Sequence, residues 1–205
     1  MDIIQNTKQQ EIILKSFENS MSYAAYRALV IRMVKDNSTT GSEKTEALIN
    51  YTLLNERRMR RWEKTVKISE ADKAFIENYS KKIIWLVITE SWCGDAAHIM
   101  PLINKVAELN ANIDYKVVLR DENEALMSEF LTNGNRSIPK LIMLDAATNE
   151  VLNTFGPRPT VATKMVYNYK TLHGQLSPEF KEDLQRWYNK DKGKSIIADL
   201  LKLLQ

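Results

Sequence analysis

At 205 residues, 44% of them hydrophobic and 27% charged, the chain has the composition of an ordinary globular protein, with room for one or two domains and a sizeable core. A formal net charge of +3 is too small to imply a nucleic-acid partner, and no apolar run approaches the length that spans a bilayer. The single cysteine excludes an intrachain disulfide. Met1-Asp2-Ile3-Ile4-Gln5-Asn6 lacks a basic targeting stretch, so a cytoplasmic setting is expected, with neither membrane nor nucleic acid as partner.

Thr7-x-x-Gln10 has the spacing of a capping box and predicts a long helix, with Ile13, Phe17, Met21, Ala24, Ala28 and Ile31 as its apolar stripe. The polar run 36–42 breaks the pattern. A second helix is predicted from near Ser42 to about Lys67, with Leu48, Tyr51, Leu54, Met59, Trp62 and Val66 toward its buried side. The two form a helical hairpin. Within the second lies the one basic cluster, Arg57-Arg58-Met59-Arg60-Arg61-Trp62. Consecutive helical residues face different ways, so a solvated surface is expected there rather than one phosphate-tracking stripe. No carboxylate pair has metal-ligand spacing, and neither metal nor cofactor is expected.

Ser69 caps a short helix to about Tyr79, helped by Asp72 in the first turn. The rhythm then changes. A strand over 83–89 leads to a helix over 95–109, a strand over 113–119 and a helix over 122–131. A strand over 141–144 turns at Ala147-Thr148-Asn149 into a strand over 150–155, and a helix over 160–172 closes the series. Two strand–helix steps into a parallel pair, then a hairpin and a last helix, make an α/β unit. Ser177-Pro178-Glu179 caps a further helix bearing Phe180, Leu184, Trp187 and Tyr188. After Gly193 a last stripe runs through Ile196, Ile197, Leu200, Leu201 and Leu204. The expected organisation is an N-terminal helical extension (1–68), an α/β domain (69–175) and a C-terminal helical tail (176–205).

Cys93 falls where the first long strand passes into a helix, in Thr89-Glu90-Ser91-Trp92-Cys93-Gly94-Asp95-Ala96. A thiol at the first turn of a helix meets unpaired N–H groups and the positive end of the macrodipole, both of which favour the thiolate. Trp92-Cys93-Gly94-Asp95 resembles the start of the thioredoxin active-site box. Ser137-Ile138-Pro139-Lys140, just before a strand, resembles the loop whose cis proline faces that box. The likeness covers residues 69–172 and implies a thioredoxin fold: a central mixed sheet flanked by helices, here with an N-terminal helical hairpin and a C-terminal helical extension. The box, Leu119-Arg120-Asp121-Glu122-Asn123, the proline loop and the tail Trp187-Tyr188-Asn189-Lys190-Asp191-Lys192-Gly193-Lys194 are similar to a thioredoxin-like subgroup of undefined role. Gly193-Lys194-Ser195 is not the end of a P-loop, because Tyr188 occupies the first glycine position of that motif and no strand leads in.

Two departures matter. Ala96 stands where thioredoxins carry the resolving cysteine, and Val87 where they bury an aspartate. Cycling between dithiol and disulfide within one chain is excluded. The resemblance implies Cys93 as the catalytic residue, and Trp92, Gly94, Asp95, Ile138, Pro139 and Arg136 as substrate contacts. A free thiol near pKa 8.5 is only about 3% ionised at pH 7. The helix end favours ionisation and Asp95 opposes it, so a modestly activated thiol is expected. His98, about 140° round the helix from Cys93, is expected at the surface. Arg120 and Asp121 are expected to pair with each other or to face a ligand.

Two functions follow. In one, Cys93 attacks a protein or low-molecular-weight disulfide and an external thiol resolves the adduct. In the other, the fold has lost turnover and keeps the groove beside Pro139 for a partner. A peroxidase fits less well, since Leu86 and Glu90 fill the proline and threonine positions of the peroxiredoxin motif.

Overall fold

The computed structural model describes residues 3–205. The long first helix is in fact two, α1 (Ile3–Glu18) and α2 (Tyr23–Lys35), and Thr7 lies inside α1 rather than at its start. Between them Met21–Ser22 forms a short strand, β1, and the Ser22 hydroxyl accepts from Ala25 N to start α2 afresh. That restart resets the helical phase. Tyr23, Tyr26, Arg27 and Val30 face inward, whereas Ile31 is exposed and the single stripe through Ala24, Ala28 and Ile31 does not form.

Helix α3 (Glu46–Thr65) begins at Thr45, whose hydroxyl accepts from Leu48 N. Its buried side carries Thr52, Asn55, Met59 and Trp62, while Tyr51 and Leu54 are exposed, contrary to their predicted burial. Helices α2 and α3 form the expected hairpin. Tyr23 and Arg27 both bond the Glu63 carboxylate, and Arg27 lies 3.6 Å from Glu56. The basic cluster divides: Arg58 turns in to donate to Asn55 Oδ1, while Arg57, Arg60 and Arg61 are exposed.

Helix α4 (Glu70–Glu77), capped by Ser69, precedes the α/β unit. Its strands are β2 (Ile83–Thr89), β3 (Ile113–Leu119), β4 (Lys140–Asp145) and β5 (Val151–Phe155). Its helices are α5 (Gly94–Ala107), α6 (Glu124–Glu129) and α7 (Thr160–His173). The sheet order is β1-β3-β2-β4-β5. Strands β2 and β3 are parallel; β4 runs antiparallel to β2, β5 to β4, and β1 to β3. The apolar run of β2 is buried almost throughout, as a central strand covered on both faces must be.

Helices α8 (Pro178–Asp191) and α9 (Lys194–Leu203) follow. Pro159, the N-cap of α7, has no side chain that can cap, and Asp199 of α9 supplies the acceptor for Thr160 N at 2.6 Å. One apolar cluster runs from Ile13 through the sheet to Leu204. Among the described residues no helix is long and apolar enough to cross a membrane.

Candidate functional site

Cys93 is the N-cap of α5, at the carboxyl end of β2, where ligands bind in parallel sheets. The Ile138–Pro139 peptide is cis, as the resemblance implies, and the thiol donates to Ile138 O at 3.2 Å. A second cis peptide, Gly156–Pro157, lies next to this loop: a Cβ on Gly156 would come within 2.2 Å of Pro139 O. Ala96, in the resolving position, is buried, and so is Val87.

The thiol is enclosed. Cys93 is 8% exposed, and burial, followed by the charge of Asp95, pushes its pKa up to about 12. The N–H groups of Ala96 and Asp95 and the charge of Arg158 pull the other way and lose. The modest activation expected from the helix end is therefore not met, because the macrodipole is worth at most about 2 kcal/mol in partly buried geometry and desolvation of a thiolate exceeds it. Glu90, three residues before the thiol, accepts from Asp121 N through its Oε1.

Asp95 is buried rather than solvated at its helix end. Its Oδ2 lies 2.6 Å from Arg158 Nη2, and its Oδ1 accepts from the Tyr188 hydroxyl at 2.9 Å. Burial pushes its carboxyl above the ordinary range against the pull of Arg158 and Tyr188. Gly94 sits between the two helical extensions, since a Cβ there would lie 3.6 Å from Arg58 Nη1 and 4.0 Å from Gln185 Nε2. His98, expected at the surface, is buried in the same seam. Trp62 Nε1 of α3 donates to its Nδ1 at 2.8 Å, its Nε2 pairs with Gln185 Oε1 of α8 at 2.7 Å, and its ring stacks on Tyr188 at 4.4 Å. Because Nδ1 accepts, Nε2 carries the proton of a neutral imidazole, and burial holds its pKa down to about 3.

Ser91 ties the other end of the turn to the N-terminal hairpin. Its Oγ lies 3.0 Å from Thr39 Oγ1 and 2.9 Å from Thr52 Oγ1, and accepts from Thr40 N at 3.0 Å. Asn55 Nδ2 donates to its carbonyl at 2.9 Å. None of Ser91, Arg158 or Gln185 was singled out in the sequence. The buried polar residues of α3 at steps of three, Thr52 and Asn55, were the readable signal.

Trp92 and Arg136 belong to a different face. They line a cavity of about 290 Å³ with Ser42, Leu48, Arg120 and Asp121. The Arg120 guanidinium lies 4.8 Å over the Trp92 ring and pairs with Asp121 at 2.8 Å; Asp121 also accepts from Ser42 N. Gly41 lets the hairpin loop approach, for a Cβ there would meet Asp121 Oδ2 at 2.8 Å and Trp92 Nε1 at 3.2 Å. Arg136 is half exposed and lies 3.6 Å from Glu124. Ile138 and Pro139 are buried. Cys93, Asp95 and Ile138 thus meet in one sealed cluster, while Trp92 and Arg136 face an open one. No group of three or more His, Cys, Asp or Glu side chains among the described residues could hold a metal.

The thioredoxin family profile matches residues 41–173, well over half of the chain. The chain belongs to the thioredoxin family. The match begins at Gly41, earlier than the residues 69–172 over which the sequence resemblance was drawn, and so takes in α3 and the loop that packs on the Trp92 turn. No curated protein matches the sequence. Among solved structures, a protein of unknown function from Pseudomonas aeruginosa is similar at 17% identity with a TM-score of 0.62, over 92% of this chain and 93% of that one. An HIV epitope-scaffold is similar at 18% identity with a TM-score of 0.56, over 90% and 98%. Both likenesses are of fold, and both extend over the added helices as well as the thioredoxin core.

Proposed function

We propose that this thioredoxin-family chain is a binding protein that does not turn over disulfides, and that the open cavity beside Trp92 receives a peptide partner. The observation that carries this is the sealed thiol. With its pKa pushed up to about 12, on the order of one thiol in 10⁵ is ionised at pH 7, and Sγ–H is already spent on Ile138 O. A nucleophile needs the thiolate and a path to it. Neither is provided while Tyr188 and Gln185 of α8 close over α5.

The monothiol reading keeps one observation in its favour: the N–H groups of Ala96 and Asp95 in the first turn lower the pKa of the sulfur, an effect that stabilises a thiolate once it forms. It then requires α8 to move aside. Incubation with glutathione disulfide at pH 7.5, read by intact mass, separates the two. The binding reading expects the mixed disulfide on urea-unfolded chain and essentially none on native chain over the same hours. An adduct forming on native protein as fast as on unfolded protein overturns it.

A further inference from the structure

We propose that a basic concavity where α3 meets the α8–α9 junction binds a compact polyanion of the oligophosphate class. It encloses about 510 Å³ and is lined by Arg61, Thr65, Lys67, Asn189, Lys192 and Lys194 around the edge of Trp62. Four cations and no carboxylate converge there. Among the described residues none of the four pairs with an acid, unlike Arg60, which reaches Glu56 at 3.6 Å. The nearest acid in sequence, Asp191, is occupied by Ser195 N at 3.0 Å and Ser195 Oγ at 2.6 Å, where it caps α9. Like charges facing one space without a counter-charge raise a field that a multiply charged anion relieves.

The walls are held in place. Arg61 donates to Asn189 Oδ1 at 2.5 Å and lies 5.3 Å over the Trp62 ring, which is itself pinned to His98. Opposite, Lys192 and Gly193 adopt left-handed φ values of 56° and 82° in the turn between helices. A Cβ on Gly193 would fall 2.3 Å from Leu102 Cδ2, so that turn is seated on α5. Lys192 and Lys194 therefore flank a fixed glycine rather than a free loop. Guanidinium and ammonium donors on two rigid walls suit phosphoryl oxygens, with Arg61 supplying the planar fork.

The test is calorimetric titration of the full chain with inorganic triphosphate at fixed ionic strength. Saturable one-to-one binding is expected. It should weaken at least tenfold in Lys192→Gln/Lys194→Gln, and similarly in Lys67→Gln, which sits on the other wall. It should be unchanged in Lys164→Gln/Lys170→Gln on α7. Absence of saturable heat, or equal loss in all variants, overturns the site. So does a single-stranded RNA that binds more tightly than triphosphate and is weakened by Arg57→Gln/Lys64→Gln, because the exposed face of α3 would then be the binding surface.

Discussion

Around Cys93 two short-range effects oppose each other, and the residues that decide between them are not neighbours in sequence. The helix end and the N–H groups of Asp95 and Ala96 favour the thiolate; burial and the Asp95 carboxylate disfavour it. Replacing Asp95 with Asn removes the negative charge, leaves Arg158 positive beside the sulfur, and keeps an acceptor for Tyr188. Alkylation of native Cys93 at pH 8 is therefore expected to speed up in Asp95→Asn by up to about tenfold, one pKa unit; an unchanged or slower rate would remove Asp95 from the account. Ser91 is the second decisive residue. In Ser91→Ala the buried N–H of Thr40 loses its partner, and the hydroxyls of Thr39 and Thr52 are left with only each other. Unfolding in urea should show a loss of about 2–3 kcal/mol. A loss under about 0.5 kcal/mol would mean the turn is not held by this hub.

At the scale of elements, α3, α5 and α8 meet at His98, whose imidazole bonds Trp62 and Gln185 and stacks on Tyr188. Its folded pKa of about 3 lies below the ordinary 6.5, so below pH 6.5 the unfolded chain binds the extra proton. The stability this arrangement supplies is complete above pH 6.5 and is lost as pH falls toward 3, at up to about 1.4 kcal/mol per pH unit. Asp95 and Glu90, whose pKa values burial raises, act with the opposite sign. The contrast with His98→Gln isolates the imidazole: between pH 6.5 and 4, the natural chain should lose stability more steeply than the variant. Parallel slopes would contradict a neutral buried His98. None of this was legible from the sequence. Helical phase turns His98 about 140° from Cys93, but phase does not say which surface a second helix from far along the chain will cover, and His98 is buried rather than at the surface. The strands were legible, because β2 is a nearly continuous apolar run and β3 alternates apolar Ile113 and Tyr115 with polar Asp114 and Lys116 before Val117, Val118 and Leu119. The short β1 was not, since two residues carry no period and Met21 also fitted a helical stripe.

For the whole molecule, the added helices and the thioredoxin core share one apolar cluster, and both structural neighbours carry the same arrangement over at least nine-tenths of this chain. The Trp-Cys-Gly box and the cis proline were readable because each is a local pattern tied to a known fold. What closes the site was not, because Ser91, Asp95 and His98 find their partners between 36 and 93 residues away. The central claim is that both ends of the chain fold over Cys93 and hold it as a thiol. It is tested most directly by the rate of iodoacetamide alkylation of native protein from pH 6 to 11, with urea-unfolded protein as reference. The expected result is a native rate far below the unfolded one, with no inflection below about pH 10. An inflection at or below pH 8.5 on the native chain would contradict it.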